Sequence, residues 1–303
     1  MALRTLHLGT RNVTDGRNAF VKFDGIFKGR FLARPNRFLV QCAAHGRGKI
    51  NAYLPNPGRL WELLLPGAVL YLQSANDATG ARVAPRKTKY TVLAVEREGC
   101  PVFLHTHATN QVARRLIEQK LIRPLKGARF IRAEVPVGSS RFDFLLREKG
   151  RDLYLEVKSC TLFGNNVAMF PDAVTERGKR HLLELAKMAR RKIPTVVLFL
   201  VHYPHVKWFM PDFHTDLAFS TALLKARRDV RIVPVAIGWK KDLTLKNEIR
   251  VLDIPWQYLE QEVQDRGSYL LVLKWKKERS LQVGHLGRAR FSKGYFVLSL
   301  IHI

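Results

Sequence analysis

The sequence predicts an α+β protein of two domains, a small β-barrel followed by a mixed sheet flanked by helices. Three observations predict it. Five short strand-like runs, at 20–27, 29–33, 38–42, 50–54 and 69–73, surround one Pro-started helical turn at 55–64. Short strands with a single helix before the last describe an OB-like barrel. The chain after residue 110 reads helix, three strands, helix, strand, helix, strand. Between them, residues 140–158 carry the pattern of a tight β-hairpin.

The elements of the second domain follow from periodicity. Residues 91–95 and 102–106 read as strands that follow a basic connector. Residues 110–122 place Val112, Leu116, Ile117 and Leu121 on one helical stripe. Residues 130–135 alternate, setting Arg132 and Glu134 against Ile131, Ala133 and Val135. A helix is expected from Pro171 with Asp172 as its N-cap, a stripe of Leu182, Leu185, Ala186 and Ala189, and Arg190-Arg191-Lys192 at its negative end. The unbroken apolar run 195–201 is a buried strand reached by a crossover. Residues 217–226 read as helix and 230–237 as strand. The order αβββαβ is the core layout of a restriction-endonuclease-like domain. The expected boundaries are an extension at 1–18, the barrel at 19–84, the second domain at 85–240 and a linker at 241–266.

The hairpin carries the chemistry. With Lys149-Gly150 as its two-residue loop, Glu148 faces Arg151, and the register carried down the strands sets Asp143 opposite Glu156. Their Cβ atoms would stand about 5 Å apart, where like charges repel. Glu156 and Lys158 share a strand face. Asp-x12-Glu-x-Lys is the spacing of the PD-(D/E)xK nuclease site, in which two carboxylates hold Mg²⁺ (or Mn²⁺) and the lysine steadies hydroxide or phosphate charge. The spacing alone also fits a strand with a solvated E-x-K face. Glu134 is either a further metal ligand or the partner of Arg132. No His/Cys ligand set accompanies these residues, which argues against zinc.

The 303 residues carry 52 Lys and Arg against 25 acids, a net charge of +27. Such an excess suits a polyanion, and nucleic acid fits better than membrane. No apolar run reaches membrane-spanning length. Cys42, Cys100 and Cys160 are odd in number and form no C-x-x-C, as reduced thiols of a cytoplasmic protein do. In the barrel, Lys28, Arg30, Arg34, Arg37 and Arg59 interleave with Phe27, Phe31 and Phe38. The arginines read as phosphate contacts and the phenylalanines as core. Arg86 and Lys87 extend the basic set. On the helix after residue 171, Arg177, Arg180 and His181 form a candidate phosphate clamp, with His181 alternatively a metal ligand or proton shuttle.

Several stretches together resemble the sugar fermentation stimulation protein family (SfsA) over roughly residues 19–238. They are P-N-P-G-R-L-W-E-L-L at 55–64, R-K-T-K-Y at 86–90, E-V-P-V-G at 134–138, R-F-D-F at 141–144, L-E-V-K-S-C-T-L at 155–162 and F-P-D-A-V-T-E-R-G-K-R-H-L at 170–182. The resemblance implies an OB-like domain, a PD-(D/E)xK-like domain, DNA binding and metal-dependent cleavage of DNA, with RNA a second candidate. It also implies an alternative, a non-catalytic DNA-binding regulator of sugar-fermentation genes. Asp229 departs from the family's usual Gly and bears only on a turn. Residues 267–297 resemble the opening of a GIY-YIG-like domain that stops short. Residues 298–303 are what CTG-TCT-CTT-ATA-CAC-ATC encodes, and are expected to be a sequencing artefact.

Overall fold

The computed structural model describes residues 23–74, 88–138, 140–264, 290–292 and 295–297. The first sheet is built from β1 (Ile26–Asn36), β2 (Leu39–Ala44), β3 (Gly48–Tyr53), β4 (Val69–Ser74), β5 (Tyr90–Arg97) and β6 (Cys100–Phe103), in the order β3-β2-β1-β4-β5-β6. A parallel contact of β3 with β5, Ala52 against Tyr90 and Tyr53 against Thr91, closes it into an OB-like barrel. The run expected at 29–33 and the last two residues of the run expected at 20–27 are parts of one strand, which begins at Ile26; residues 20–22 lie outside the described residues. Its two edges pair with β4 over Ile26–Arg30 and with β2 from Gly29 onward, and the β2 register slips between Phe31 and Ala33. Gly29 sits at that crowded crossing, where a Cβ would lie 2.9 Å from Leu72 Cδ1. Residues 55–64 hold the expected turn, a single one closed by Leu64 N–H on the Leu60 carbonyl at 2.9 Å, which does not extend into a helix. Strands β5 and β6 belong to the barrel sheet, which therefore runs past residue 84 to Phe103.

The second domain opens with α1 (Thr106–Glu118), capped by His105, and a 3-10 turn at Arg123–Leu125. It continues with β7 (Ala128–Val137), β8 (Ser140–Glu148), β9 (Arg151–Cys160), β10 (Leu162–Gly164) and β11 (Val167–Phe170). After these come α2 (Glu176–Arg190), β12 (Thr195–Val201), β13 (Trp208–Pro211), α3 (Leu217–Ala226), β14 (Arg231–Trp239), β15 (Leu245–Val251) and α4 (Trp256–Gln264). The main sheet runs β15-β14-β12-β9-β8-β7, with β9, β12 and β14 parallel, the restriction-endonuclease-like αβββαβ core. β10, β11 and β13 form a small side sheet. Helix α1 begins at Thr106, earlier than its apolar stripe suggested. Helix α2 is capped by Thr175, whose Oγ1 accepts from Gly178 N–H at 3.2 Å, and not by Asp172. Asp229 adopts no left-handed backbone and pairs with Arg190 at 3.3 Å, so this turn does not require a glycine. Of the C-terminal stretch, only β16 (Arg290–Ser292) and β17 (Tyr295–Val297) are described, as an antiparallel pair. The remaining GIY-YIG-like expectation and residues 298–303 lie outside the described residues.

Barrel and second domain share their cores. Phe31, Val40 and Leu72 belong to one cluster with Phe142, Leu182 and Phe199; Tyr71, Leu93 and Phe103 belong to another with Leu116, Leu155 and Trp239. At the joint, the Phe103 ring stacks on Trp239 with centroids 4.5 Å apart. Trp239 Nε1–H donates to His202 Nδ1 at 3.2 Å, and Thr109 Oγ1 lies 3.4 Å from His202 Nε2. No described helix is long and apolar enough to cross a membrane. All three cysteines are free, and burial pushes the Cys42 thiol up to about 11, so it stays protonated and unreactive.

His202 gives this joint a pH dependence. Burial lowers its pKa from 6.5 to about 3, so the folded state holds it neutral. A depressed histidine contributes stability that is present above pH 6.5 and lost as pH falls toward 3. Between pH 6.5 and 4.5 the loss from this group should approach about 2–3 kcal/mol. Thermal melts of wild type and His202→Gln across that range test it. The variant is expected to start lower, because its bonds are imperfect, but to fall less steeply. Parallel slopes would remove His202 as the cause.

Candidate active site

The β8–β9 hairpin is closed by Lys149 at φ 50 and Gly150 at φ 76, the pair of positive angles of a type I′ turn. The turn sets the expected register: Glu148 pairs with Arg151, Leu145 with Tyr154 and Phe144 with Leu155. There the ladder stops, and side-chain alternation slips. Phe144 packs in the core with Leu155, whereas Phe142 packs in the other core against Tyr154 and His181. Asp143 stands at the slip. Its Oδ2 accepts the Val157 N–H at 2.7 Å in place of a strand partner, and its Oδ1 accepts from Asn110 Nδ2 on α1 at 2.7 Å.

Glu156 follows on the neighbouring strand and is buried. Its Oε1 accepts from Lys158 Nζ at 2.7 Å and lies 2.8 Å from His181 Nδ1, which donates as N–H. Its Oε2 is buried and has no hydrogen-bond partner among the described residues. Burial and, second, the Glu156 charge push Asp143 up from 3.8 to about 6, against the Val157 amide, Lys158 and Asn110. Burial likewise pushes Glu156 upward, but His181 and Lys158 outweigh it and hold its pKa below the usual value. The site is thus one firmly ionised carboxylate beside one reluctant carboxylate, with an ammonium alongside.

Asp143, Glu156 and Lys158 are brought together as the spacing required; Glu134 is not. It falls across from Asp143 but takes φ 54, and its exposed carboxylate pairs with Arg141 at 2.9 Å. Among the described residues no three His, Cys, Asp or Glu side chains gather as a metal set. His181 belongs inside, not in a phosphate clamp. It occupies the buried stripe of α2 with Gly178, Leu182, Leu185 and Ala186, where it orients Glu156. That spacing was the signal for its role. Asn110, Asp143's other partner, left no such signal.

Two regions of the chain match family profiles. Residues 32–104 match the SfsA N-terminal OB domain, and residues 107–242 match the sugar fermentation stimulation protein RE domain. The chain belongs to the sugar fermentation stimulation protein family. The sugar fermentation stimulation protein homolog of Methanosphaera stadtmanae is 35% identical over 238 residues, covering 77% of this chain and 97% of that protein. The homolog of Moorella thermoacetica is 40% identical over 202 residues, covering 66% and 84%. Among solved structures, Pyrococcus furiosus SfsA in complex with Ca2+ is 29% identical, with a TM-score of 0.69 over 77% of this chain and 97% of that one.

The expected nucleic-acid contacts in this family member divide. Arg34 is spent on structure: its guanidinium donates to the carbonyls of Arg37 at 2.8 Å, Asn56 at 3.1 Å and Arg59 at 2.5 Å. Lys28 pairs with Glu96 at 3.3 Å over the Tyr71 ring, and Arg30 donates to the Gly67 carbonyl. Arg37, Arg177 and Arg180 are exposed, and Arg59 lies over Trp61. Arg86 and Lys87 lie outside the described residues. Phe27 and Phe31 contribute to the core as expected, but Phe38 is exposed.

The raised Asp143 pKa makes a prediction for the metal-free protein. A carboxyl whose folded pKa exceeds its unfolded value stabilises the fold when protonated, and that stability is lost as pH rises through the folded value. From pH 4 to 7 in EDTA, wild type should therefore lose up to about 3 kcal/mol relative to Asp143→Asn. The hydrogen bond that asparagine cannot make is a pH-independent offset. Denaturant melts at each pH measure the difference. A difference that does not change with pH would contradict the assignment.

Proposed function

We propose that this chain is a metal-dependent nuclease that hydrolyses phosphodiester bonds in DNA. The observation that carries the reading is the pair Asp143 and Glu156 beside Lys158, with Glu156 Oε2 buried and, among the described residues, without a partner. A fold keeps like charges together out of water only against a cost, which a divalent cation would relieve. The donor set fits a hard cation, since both side chains offer oxygen. The Ca2+ complex of the Pyrococcus furiosus relative supports the same class of ion. Asp143 and Glu156 are the residues that would hold Mg²⁺ or Mn²⁺. Bound there, the ion supplies Lewis-acid polarisation of the phosphate and a lowered pKa for water.

The rest of the work falls to the chain's own groups. Asn110 and the Val157 amide fix both oxygens of Asp143. His181 and Lys158 fix one oxygen of Glu156 and leave the other for a ligand. Lys158 also brings an ammonium to within reach of charge that grows on a phosphate during attack. The net charge of +27 holds the polyanion without regard to sequence.

Purified protein incubated with labelled single- and double-stranded DNA, in Mg²⁺, Mn²⁺ or EDTA, tests the reading. Cleavage is expected with metal and not with EDTA. Lys158→Ala should lower the rate by about 10²–10³-fold, the usual loss for a group that stabilises transition-state charge, and Glu156→Gln, which weakens the hold on the ion, should lower it at least as far. Salt-sensitive DNA binding should persist in both, because phosphate contacts elsewhere carry it. DNA binding by wild type without cleavage in either metal would instead support a non-catalytic regulator of sugar-fermentation genes.

A further inference from the structure

The barrel turns aromatic rings to solvent beside its arginines. Trp61 is 68% exposed and Phe38 is 45% exposed, whereas Phe31 on the adjoining strand is buried. The Arg59 guanidinium lies 5.2 Å from the Trp61 ring centroid, and the Phe38 ring lies 6.4 Å from that of Tyr53. Phe38 and Trp61 sit on different loops, but one side chain ties the loops together. Arg34 donates to the carbonyls of Arg37, Asn56 and Arg59 at once. The segments that carry Phe38 with Arg37, and Trp61 with Arg59, are therefore held side by side as one rim of the barrel. Neither arginine is drawn into a salt bridge among the described residues.

The rim is joined to the catalytic helix. Asn56 Oδ1 accepts the Gly58 N–H at 2.9 Å, and Gly58 lies so close to the second domain that a Cβ would fall 2.0 Å from Asp172 Oδ2. Asp172 leads into Thr175, the cap of α2, the helix whose His181 holds Glu156. Exposed rings flanked by guanidinium groups match unstacked bases on an anionic backbone. Every base offers a π-face, but a duplex hides those faces within its own stack.

We propose that Trp61 and Phe38, with Arg37 and Arg59, form a stacking platform for the bases of an unpaired DNA strand, and that single-stranded or locally opened DNA is the form this protein engages. What becomes of the strand at the carboxylates rests on the nuclease reading; the binding does not.

Fluorescence anisotropy with labelled oligo(dT) and a labelled hairpin duplex, in EDTA at several salt concentrations, tests it apart from catalysis. Wild type should bind oligo(dT) more tightly than the duplex. Trp61→Ala should weaken oligo(dT) binding about tenfold, the scale of one lost base stack, at every salt concentration and leave duplex binding unchanged. Trp61→Phe should restore most of the loss. Arg59→Ala should instead make the salt dependence shallower, because it removes a phosphate partner. No effect of Trp61→Ala, equal loss on both DNA forms, or failure of phenylalanine to rescue would overturn the platform. Absence of cleavage in Mg²⁺ would bear on the nuclease reading and leave these outcomes intact.

Discussion

Two carboxylates kept within each other's field and largely out of water are the constraint around which the second domain is arranged. Neither could hold its charge there unaided, and each is supported from a different quarter. Helix α1 reaches Asp143 through Asn110, while α2 reaches Glu156 through His181. The strand between them contributes its own Val157 amide and the Lys158 ammonium. The β8–β9 ladder must end at Phe144 for this to work. An amide that continued the ladder could not also bond Asp143. The slip that sends Phe142 and Phe144 into different cores is thus the local expense of aiming a carboxylate.

Support for the site extends into the barrel. Helix α1 follows directly from β6, and its buried side shares a core with Tyr71, Leu93 and Phe103. Helix α2 packs into the core that also holds Phe31, Val40 and Leu72. The helices that grip the two carboxylates therefore rest on barrel residues. Removing the barrel would uncover both packing surfaces and loosen the grip, so the second domain does not make an independent unit of the site.

Much of this was legible in the chain. Lys149-Gly150 between two alternating runs determined the turn, and with it the register that brings Asp143 toward Glu156. The unbroken run 195–201 and the helix at 217–226 came out at their observed ends, the strand because it is buried on both faces and the helix because Asp216 caps it, its Oδ1 accepting the Phe219 N–H at 2.9 Å. What failed depended on contacts distant in sequence. Thr175 caps α2 because its own amide is held by Asp216 Oδ2, forty-one positions away. Arg34 reads as a phosphate contact until the loops at 37 and 56–59 fold around it. Glu134 was expected to follow strand alternation, but its left-handed backbone breaks that pattern.

The contact of Gly58 with Asp172 has a mechanical meaning. With no room for even a methyl group between the barrel loop and the second domain, and with both cores continuous across the joint, this boundary offers no hinge. Enzymes that clamp by swinging one domain toward another store their selectivity in that motion. Here the distance from the barrel loop to the carboxylates is built in, and barrel and second domain together act as a rigid gauge. Under the proposed function, the DNA must do the bending.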